Sequence, residues 1–155
     1  MTAVSPDVTP AQITVRTPVG QEWPAYYHLR YAVLRAPWGE PEGSERADDD
    51  GTAYHAVAVG PFGVMLGVGR LHMNSATEGQ VRFMAVLPEA QGKGVGKLIV
   101  RHLEETAKAR GAQTMVLHAR QNAVPFYESL GYTVKEKSYL LFNEIQHWLM
   151  TRELA

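Results

Sequence analysis

The sequence predicts an α/β fold, an α+β arrangement with one mixed, mostly antiparallel sheet of about six to seven strands and about three to four flanking helices. Three observations support this prediction. Apolar residues alternate with period two in several short runs. Longer segments with helical periodicity separate some of these runs. A strand, a glycine-rich turn and a helix follow one another directly within residues 81–110.

The first third of the chain is predicted to contain a leader, a strand, a helix and a long break. Residues 1–10 are expected to form a loose leader. Residues 13–16 are predicted to form a short strand, and residues 21–35 a helix with Pro24 in its first turn. The break spans residues 36–51, where prolines, glycines and acidic residues replace the apolar pattern.

The break holds six of the sixteen acidic residues of the chain. They are Glu40, Glu42, Glu45, Asp48, Asp49 and Asp50. We favour a solvated loop, because a run of charges usually forms a solvated face. The alternative is a loop on the substrate side that attracts a cationic amine.

Four arginines lie on elements expected to border the substrate side, namely Arg30, Arg35, Arg70 and Arg82. A guanidinium group binds a carboxylate well, so Arg70 or Arg82 is a candidate for contact with a substrate carboxylate. Ion pairing at the protein surface is the commoner role of such residues, and we favour it here.

The rest of the chain is predicted to continue with strands and two further helices. Gly67 and Gly69 are expected to weaken or bulge the strand that contains them. Gly111 is predicted to follow the end of the first of these helices, and Asn122 to be the N-cap of the second. The predicted strands are 52–59, 64–73, 81–86, 114–119, 132–139 and 146–152, and the helices are 95–110 and 123–130.

Length and charge describe an ordinary globular chain. With 155 residues it is most simply a single domain, 1–155, able to bury its own core. A net charge of −1 gives no electrostatic support for binding nucleic acid. The sequence shows neither a basic and apolar leader nor an apolar run of membrane-spanning length, so we expect a cytoplasmic protein that does not bind membranes.

The chain contains no cysteine. This excludes disulfides and thiolate metal sites, and the six histidines lack a spacing such as His-Glu-x-x-His, so no metal is predicted. It also excludes an acyl-cysteine intermediate. Any acyl transfer is therefore most simply a direct transfer within a ternary complex.

Residues 91–96, Gln-Gly-Lys-Gly-Val-Gly, are predicted to bind a phosphate group. Glycines let the backbone approach an anion, and the first amides of the following helix have no partner inside it. Lys93 and Lys97 add positive charge. A Walker loop would require glycine at Gln91, and a dinucleotide fingerprint would require glycine at Lys97, so neither motif is present. A purely structural turn would not require three glycines in five residues.

The same residues resemble the acyl-CoA pyrophosphate loop of the GNAT N-acetyltransferase superfamily. Its pattern, Gln/Arg-x-x-Gly-x-Gly/Ala, is met by Gln91, Gly94 and Gly96. The resemblance implies that loop amides bind the pyrophosphate of acetyl-CoA, and that the preceding strand pairs with the pantetheine arm and the acetyl carbonyl. The cofactor-binding residues implied in this way are Met84, Ala85, Val86, Gln91, Gly92, Lys93, Gly94, Val95 and Gly96.

A second stretch, residues 122–132, resembles another GNAT signature, Asn-x-x-Ala-x-x-Phe-Tyr-x-x-x-Gly-Phe/Tyr, with Pro125 where a small residue is usual. The two motifs follow the family order, and the resemblance covers roughly residues 64–154. It implies a GNAT-like fold, a contact of Asn122 with acetyl-CoA, and a general acid, Tyr127, near the sulfur. The alternative role of Tyr127 is to pack the short helix against the sheet.

The general base is where the sequence departs from the family. Many members carry a Glu at positions that correspond here to Gln80 and Leu117, and neither of these side chains accepts a proton usefully. His147 gains some support because its surroundings resemble a C-terminal pattern of one GNAT subgroup. His118 should point away from Leu117, since neighbouring residues of a strand face opposite sides. The candidates are His72, His118, His147 and Glu144.

The resemblance implies an N-acetyltransferase that moves an acetyl group from acetyl-CoA to a primary amine of a small molecule or peptide. The implied partners are acetyl-CoA and the amine, and a homodimer is left open. The alternative is a catalytically weak acyl-CoA-binding regulatory module. The missing Glu favours that alternative, whereas the presence of Tyr127 opposes it.

Overall fold

The computed structural model of the chain describes residues 4–154 and contains one sheet of seven strands. The strands are β1 (Thr14–Arg16), β2 (Tyr54–Val59), β3 (Met65–Met73), β4 (Glu78–Val86), β5 (Thr114–Arg120), β6 (Thr133–Leu141) and β7 (Ile145–Glu153), and the helices are α1 (Glu22–Leu34), α2 (Val95–Ala109) and α3 (Val124–Ser129). The strand order is β1-β2-β3-β4-β5-β7-β6. The pair β4–β5 is parallel, whereas β1–β2, β2–β3, β5–β7 and β6–β7 are antiparallel. The predicted fold class is therefore confirmed.

The residues group into two compact units. The first comprises the chain up to Leu71 together with Phe83–Leu103. The second comprises His72–Arg82 together with the chain from Glu104 onward. In the first unit, apolar side chains of α1 pack against β2, β3 and β4. This core consists of Tyr26, Leu29, Leu34, Val57, Val68 and Ala85.

Two glycines of β3 allow α2 to lie close to the first unit's part of the sheet. A Cβ added to Gly69 would lie 2.6 Å from both Ile99 Cγ2 and Met84 Sδ, and one added to Gly67 would lie 3.0 Å from the Ala85 carbonyl oxygen. Such distances leave no room for a side chain. The β2–β3 register shifts between Ala58, which lies opposite Gly67, and Val59, which lies opposite Met65, so the strand is irregular beside Gly67, as the sequence led us to expect. The two glycines also serve close packing.

The second unit contains the parallel pair and the C-terminal hairpin. Gly111 has φ +96° and follows the end of α2, as predicted for a helix-ending glycine. On β7, His147 lies opposite Arg120 of β5, and Leu149 lies opposite His118. The β6–β7 register shifts between Lys137 and Leu140 and again nearer the start of β6, so the hairpin is irregular.

Two local predictions differ from the structure. β4 begins at Glu78, earlier than the predicted residue 81. Asn122 is not the N-cap of α3: that position is Ala123, and no side chain caps the helix. Asn122 instead lies in a 3-10 turn, which takes up the sharp change of direction after β5. Residues 1–3 of the expected leader lie outside the described residues. No helix within residues 4–154 combines the length and apolar character needed to cross a membrane.

Candidate active site

The glycine-rich loop lies between the end of β4 and the start of α2. A 3-10 turn, Pro88–Ala90, leads into it, and Gly92 and Gly94 have φ values of +79° and +85°. These left-handed values suit glycine. The Leu98 N–H donates to the Gly94 carbonyl at 3.1 Å, so the amides of residues 95–97 precede the first hydrogen bond of the helix. Such a helix N-terminus favours a bound anion.

The N-terminal segment contacts this loop. Lys93 Nζ donates to the Pro6 carbonyl at 3.1 Å. A Cβ added to Gly94 would lie 3.4 Å from Pro10 Cγ, so the proline ring covers the loop backbone at that point. Residues 4–10 are thus in contact with the loop, which differs from the loose leader expected from the sequence. The sequence gives no sign of this contact because it joins positions more than eighty residues apart.

β4 changes conformation at Phe83, directly before the backbone expected to bind the acyl group. Phe83 has φ +54°. A left-handed conformation in a bulky residue costs about 1–3 kcal/mol and persists only where neighbouring groups enforce it. The predicted strict alternation of β4 therefore ends at this residue. Beyond it, Gln91 Nε2 donates to the Val86 carbonyl at 3.4 Å, which links the end of β4 to the loop.

Tyr127 lies in α3, and its ring is buried. The ring packs edge-on against Phe126 and Tyr132, with centroid distances of 4.9 Å and 5.9 Å. Burial raises the pKa of the Tyr127 hydroxyl above its ordinary value. Within the described part of the chain, its hydroxyl makes no hydrogen bond. The side chain is therefore both a packing residue and a phenol that stays protonated at neutral pH.

An ion pair with a buried carboxylate, which the sequence did not indicate, lies close to Tyr127 through the Tyr132 ring. The Tyr132 hydroxyl donates to Glu104 Oε2 at 2.8 Å, and Arg152 Nη1 lies 3.1 Å from Glu104 Oε1. Burial raises the pKa of Tyr132, and the negative charge of Glu104 raises it further. Glu104 follows the helical pattern of an exposed polar position, so the local sequence does not show that it is buried.

Two of the predicted histidines meet around one tyrosine in the second unit. The Tyr139 ring stacks on His147 at a centroid distance of 4.3 Å and approaches His118 at 5.5 Å. His147 is buried, and its Nδ1 lies 3.0 Å from the Ile145 carbonyl oxygen, which requires Nδ1 to carry the proton. The sequence reasoning missed Tyr139.

His118 is half-buried, whereas the neighbouring Leu117 of β5 is buried. Burial lowers its pKa, and the positive charge of Arg82 lowers it further. Arg82 is itself exposed, on β4. His118 is therefore neutral at pH 7 and able to accept a proton.

The other predicted residues stand as follows. His72 is half-buried near the end of β3, Asn122 is exposed, and Glu144 is exposed in the β6–β7 turn. Among the four candidates for the base, His118 is the one with both a half-buried ring and a lowered pKa. Among residues 4–154 there is no cluster of three or more His, Asp or Glu side chains suited to a metal ion.

Two arginines of the first unit are fully buried and share one carboxylate. Asp50 accepts from Arg30 Nη1 at 3.0 Å and from Arg70 Nη1 at 2.7 Å. Arg70 also donates to both carboxylate oxygens of Asp49, at 2.7 Å and 3.1 Å. Burial acts to raise the pKa of Asp50, but hydrogen bonds from the Ala47 amide and both guanidinium groups leave it lowered.

These contacts correct two of our interpretations. Arg70 is not a surface residue, and Asp50, whose side chain is only 10% exposed, is not part of a solvated run. Asp49 is partly exposed but also pairs with Arg70. Both aspartates pair with cations of the protein itself, so they are not available to a cationic substrate either. The pairs join residues about twenty positions apart, which is why no local sequence pattern announced them.

Side chains of α1 and its C-cap hold the acidic loop through backbone carbonyls. Tyr31 donates to the Glu40 carbonyl at 2.8 Å, and Arg35 Nε donates to the Ser44 carbonyl at 3.1 Å. Arg30 Nη1 donates to the Glu45 carbonyl at 3.1 Å. The loop conformation is therefore fixed at points that do not depend on the side chains of those loop residues.

The glycine-rich loop leads into the N-terminus of α2, where unpaired amides favour a bound anion. The Acetyltransferase (GNAT) family model matches residues 23–132, and the chain belongs to this family. The family predicted from the two motifs is thus confirmed.

Individual proteins agree with this assignment. A Bacillus subtilis (strain 168) protein named as an acetyltransferase is 29% identical over 133 residues, which cover 81% of this chain and 88% of that protein. The N-acetyltransferase YjcF of the same organism is 34% identical over 88 residues, 57% of this chain and 62% of its own length. A GNAT family acetyltransferase from Elizabethkingia anophelis with acetyl-CoA bound has the same fold, with a TM-score of 0.75 at 15% identity, and covers 92% of this chain and 99% of its own.

Proposed function

We propose that this protein transfers an acetyl group from acetyl-CoA directly to a primary amine of a small molecule or peptide. The observation that carries the proposal is the glycine-rich loop, whose left-handed Gly92 and Gly94 lead into the N-terminus of α2. Membership of the acetyltransferase family supports the reaction class. The structural relative with acetyl-CoA bound supports acetyl-CoA as the donor.

In this proposal the backbone of the loop binds the pyrophosphate of acetyl-CoA. The amides of residues 91–96 supply the donors, and Lys93 supplies positive charge. The backbone of residues 84–86 pairs with the pantetheine arm, and one of its amides donates to the acetyl carbonyl as negative charge develops on that oxygen. Asn122 contributes a further contact to the donor. Acetyl-CoA supplies the activated thioester.

The proposed mechanism uses one residue as the base for the amine and another as the acid for the thiolate. His118, neutral at pH 7, takes a proton from the bound ammonium so that the neutral amine can attack the acetyl carbon. As the C–S bond breaks, Tyr127 gives a proton to the departing thiolate. The Tyr139–His147 stack limits the rotation of the groups around His118. His72 and His147 are the alternatives for the base.

The first test is release of CoA from acetyl-CoA with a panel of polyamines, amino acids, peptides and aminoglycosides. Release that requires one class of amine would support the transferase and identify the acceptor. Binding of acetyl-CoA without release by any amine would instead favour the regulatory module. Absence of acetyl-CoA binding would contradict both.

The loop makes a specific prediction for affinity. In Gly94→Ala, the new Cβ meets a φ of +85° and the ring of Pro10. The strain of about 1–2 kcal/mol should weaken CoA binding by roughly tenfold, measured by isothermal titration calorimetry. Gly43→Ala is the matched control, because Gly43 has φ +100° with open space around it and lies outside the loop. Equal affinity in the two variants would contradict the role of the loop.

The pKa of His118 predicts the acid limb of the pH–rate profile. A base must be unprotonated, so kcat should fall as the pH drops through the lowered pKa of His118, below its ordinary value of about 6.5. In Arg82→Gln the neighbouring positive charge is lost, the pKa rises, and the acid limb should move to higher pH. His118→Gln should remove this limb. A limb that stays in place in Arg82→Gln would argue for another base.

A further inference from the structure

Phe83 is surrounded by guanidinium groups. Arg30 Cζ lies 4.3 Å from the centroid of the ring, Arg70 Cζ lies 5.0 Å away and Arg35 Cζ lies 5.9 Å away. A cation near the face of an aromatic ring is attracted by its quadrupole, and the attraction is strongest where water is excluded. Arg30 and Arg70 have fully buried side chains, so this condition is met.

Within residues 4–154, each of the two buried guanidinium groups has an Nε–H without an acceptor. Nε of Arg30 and Nε of Arg70 are buried, and neither has a hydrogen-bond partner among the described residues. Arg30 donates to Asp50, to the Glu45 carbonyl and to the Tyr26 hydroxyl, and Arg70 donates to the two aspartates. The Phe83 ring is the shared neighbour of both cations.

Hydrogen bonds of His55 hold the Arg30–Asp50–Arg70 network in place. His55 Nε2 lies 2.8 Å from the Asp50 carbonyl oxygen, and His55 Nδ1 lies 2.7 Å from the Tyr26 hydroxyl. With Nε2 donating to the carbonyl, Nδ1 accepts from Tyr26, whose oxygen in turn accepts from Arg30 at 3.2 Å. Asp50 is thus held through both its side chain and its backbone.

We propose that Arg30 and Arg70, bridged by Asp50, are positioning residues that hold Phe83 in its left-handed conformation and thereby orient the amides of residues 84–86 toward the acetyl carbonyl. The inference rests on the proposed function, because it assigns a purpose to the strained residue next to the proposed carbonyl-binding backbone. It couples the end of the acidic loop, at Asp50, to the acyl-binding strand within the same unit.

The experiment compares Phe83→Leu, which removes the aromatic face but keeps an apolar side chain, with Phe83→Tyr, which keeps that face. The readouts are the carbonyl stretch of bound [1-¹³C]acetyl-CoA by isotope-edited infrared spectroscopy, the Kd values of CoA and acetyl-CoA, and kcat with a responding amine. Arg16→Gln is the control, because it breaks the exposed Arg16–Glu22 pair of the same unit without contact to Phe83.

In wild type and in Phe83→Tyr, the carbonyl stretch should lie below its value in free acetyl-CoA. In Phe83→Leu it should return toward the free value, and kcat should fall by about tenfold to a hundredfold, as for a misplaced oxyanion donor. The Kd of CoA, which has no carbonyl at this position, should stay the same. If Phe83 had a purely structural role, its replacement would affect the binding of CoA and of acetyl-CoA alike.

A wild-type carbonyl frequency and kcat in Phe83→Leu would overturn the inference and leave the proposed function standing. If the carbonyl stretch of acetyl-CoA bound to wild type equals that of free acetyl-CoA, the inference is likewise overturned and the proposed function stands. Wild type that fails to bind acetyl-CoA would overturn both. Asp50→Asn, if folded, should show the same carbonyl change as Phe83→Leu, which would trace the effect back to the bridge between the two arginines.

Discussion

Replacing Tyr127 with Phe is expected to lower kcat by about a hundredfold to ten-thousandfold, the usual contribution of a positioned general acid. The thiolate leaves poorly without a proton, and a phenol whose pKa is raised by burial remains protonated throughout the neutral range. Only one oxygen atom is removed, and that oxygen makes no hydrogen bond within the described residues. The thermal unfolding temperature and the Kd of acetyl-CoA should therefore change little.

Tyr132→Phe is the matched control for this prediction. It removes the same atom from the neighbouring ring, but that hydroxyl donates to the buried carboxylate of Glu104. This variant should lose stability, by about 1–3 kcal/mol for an unsatisfied buried acceptor, while kcat stays near the wild-type value. If instead Tyr127→Phe loses stability and keeps its kcat, Tyr127 is a packing residue and the acid is another group.

Replacing Asp50 with Asn is expected to destabilise the protein by about 3–5 kcal/mol, the usual cost of leaving buried charges without their partner. The Asn amide offers one acceptor where two guanidinium groups require a carboxylate. Urea unfolding followed by circular dichroism measures the change, with unaltered m-value as the check on two-state behaviour. Arg16→Gln, which breaks an exposed pair, should cost only about 0–1 kcal/mol.

The pH dependence of stability provides an independent check. The pKa of Asp50 is lowered in the folded protein, so its stabilising contribution is complete above the unfolded value of about 3.9 and is lost as the pH falls toward the folded value. Wild type should therefore lose its stability advantage over Asp50→Asn as the pH is lowered through this range. A constant difference between the two proteins down to pH 3 would contradict the charged bridge.

The sequence predicted those parts of the molecule that depend on neighbouring residues. Gly92 and Gly94 must adopt left-handed values, and only glycine does so without strain, so the loop was visible in the residue types themselves. The same holds for Gly111 at the end of α2. The order of strands and helices along the chain followed from alternation and turn signals, and the family followed from two short motifs in the right order.

Features that depend on distant residues were not predictable in this way. The Asp50 carboxylate meets Arg30 and Arg70 only after the loop, α1 and β3 have come together. Phe83 is a residue type common in strands, and nothing in the neighbouring sequence indicates its left-handed conformation or the three arginines that lie around its ring. Asn122 has the right chemistry for an N-cap, but the 3-10 turn before α3 moved that role to Ala123.

Helix α1 holds the acidic loop, residues 36–51, by its backbone, so the loop conformation depends little on several of its side chains. Tyr31, Arg35 and Arg30 bind carbonyl oxygens, which every amino acid possesses. Substitutions at Glu40 and Glu42 can therefore accumulate without loss of the loop conformation, as long as the side chains of Ser44, Glu45, Asp49 and Asp50 keep their contacts. For protein engineering, a library randomised at Glu40 and Glu42 would vary the surface chemistry of this segment while its backbone stays in place.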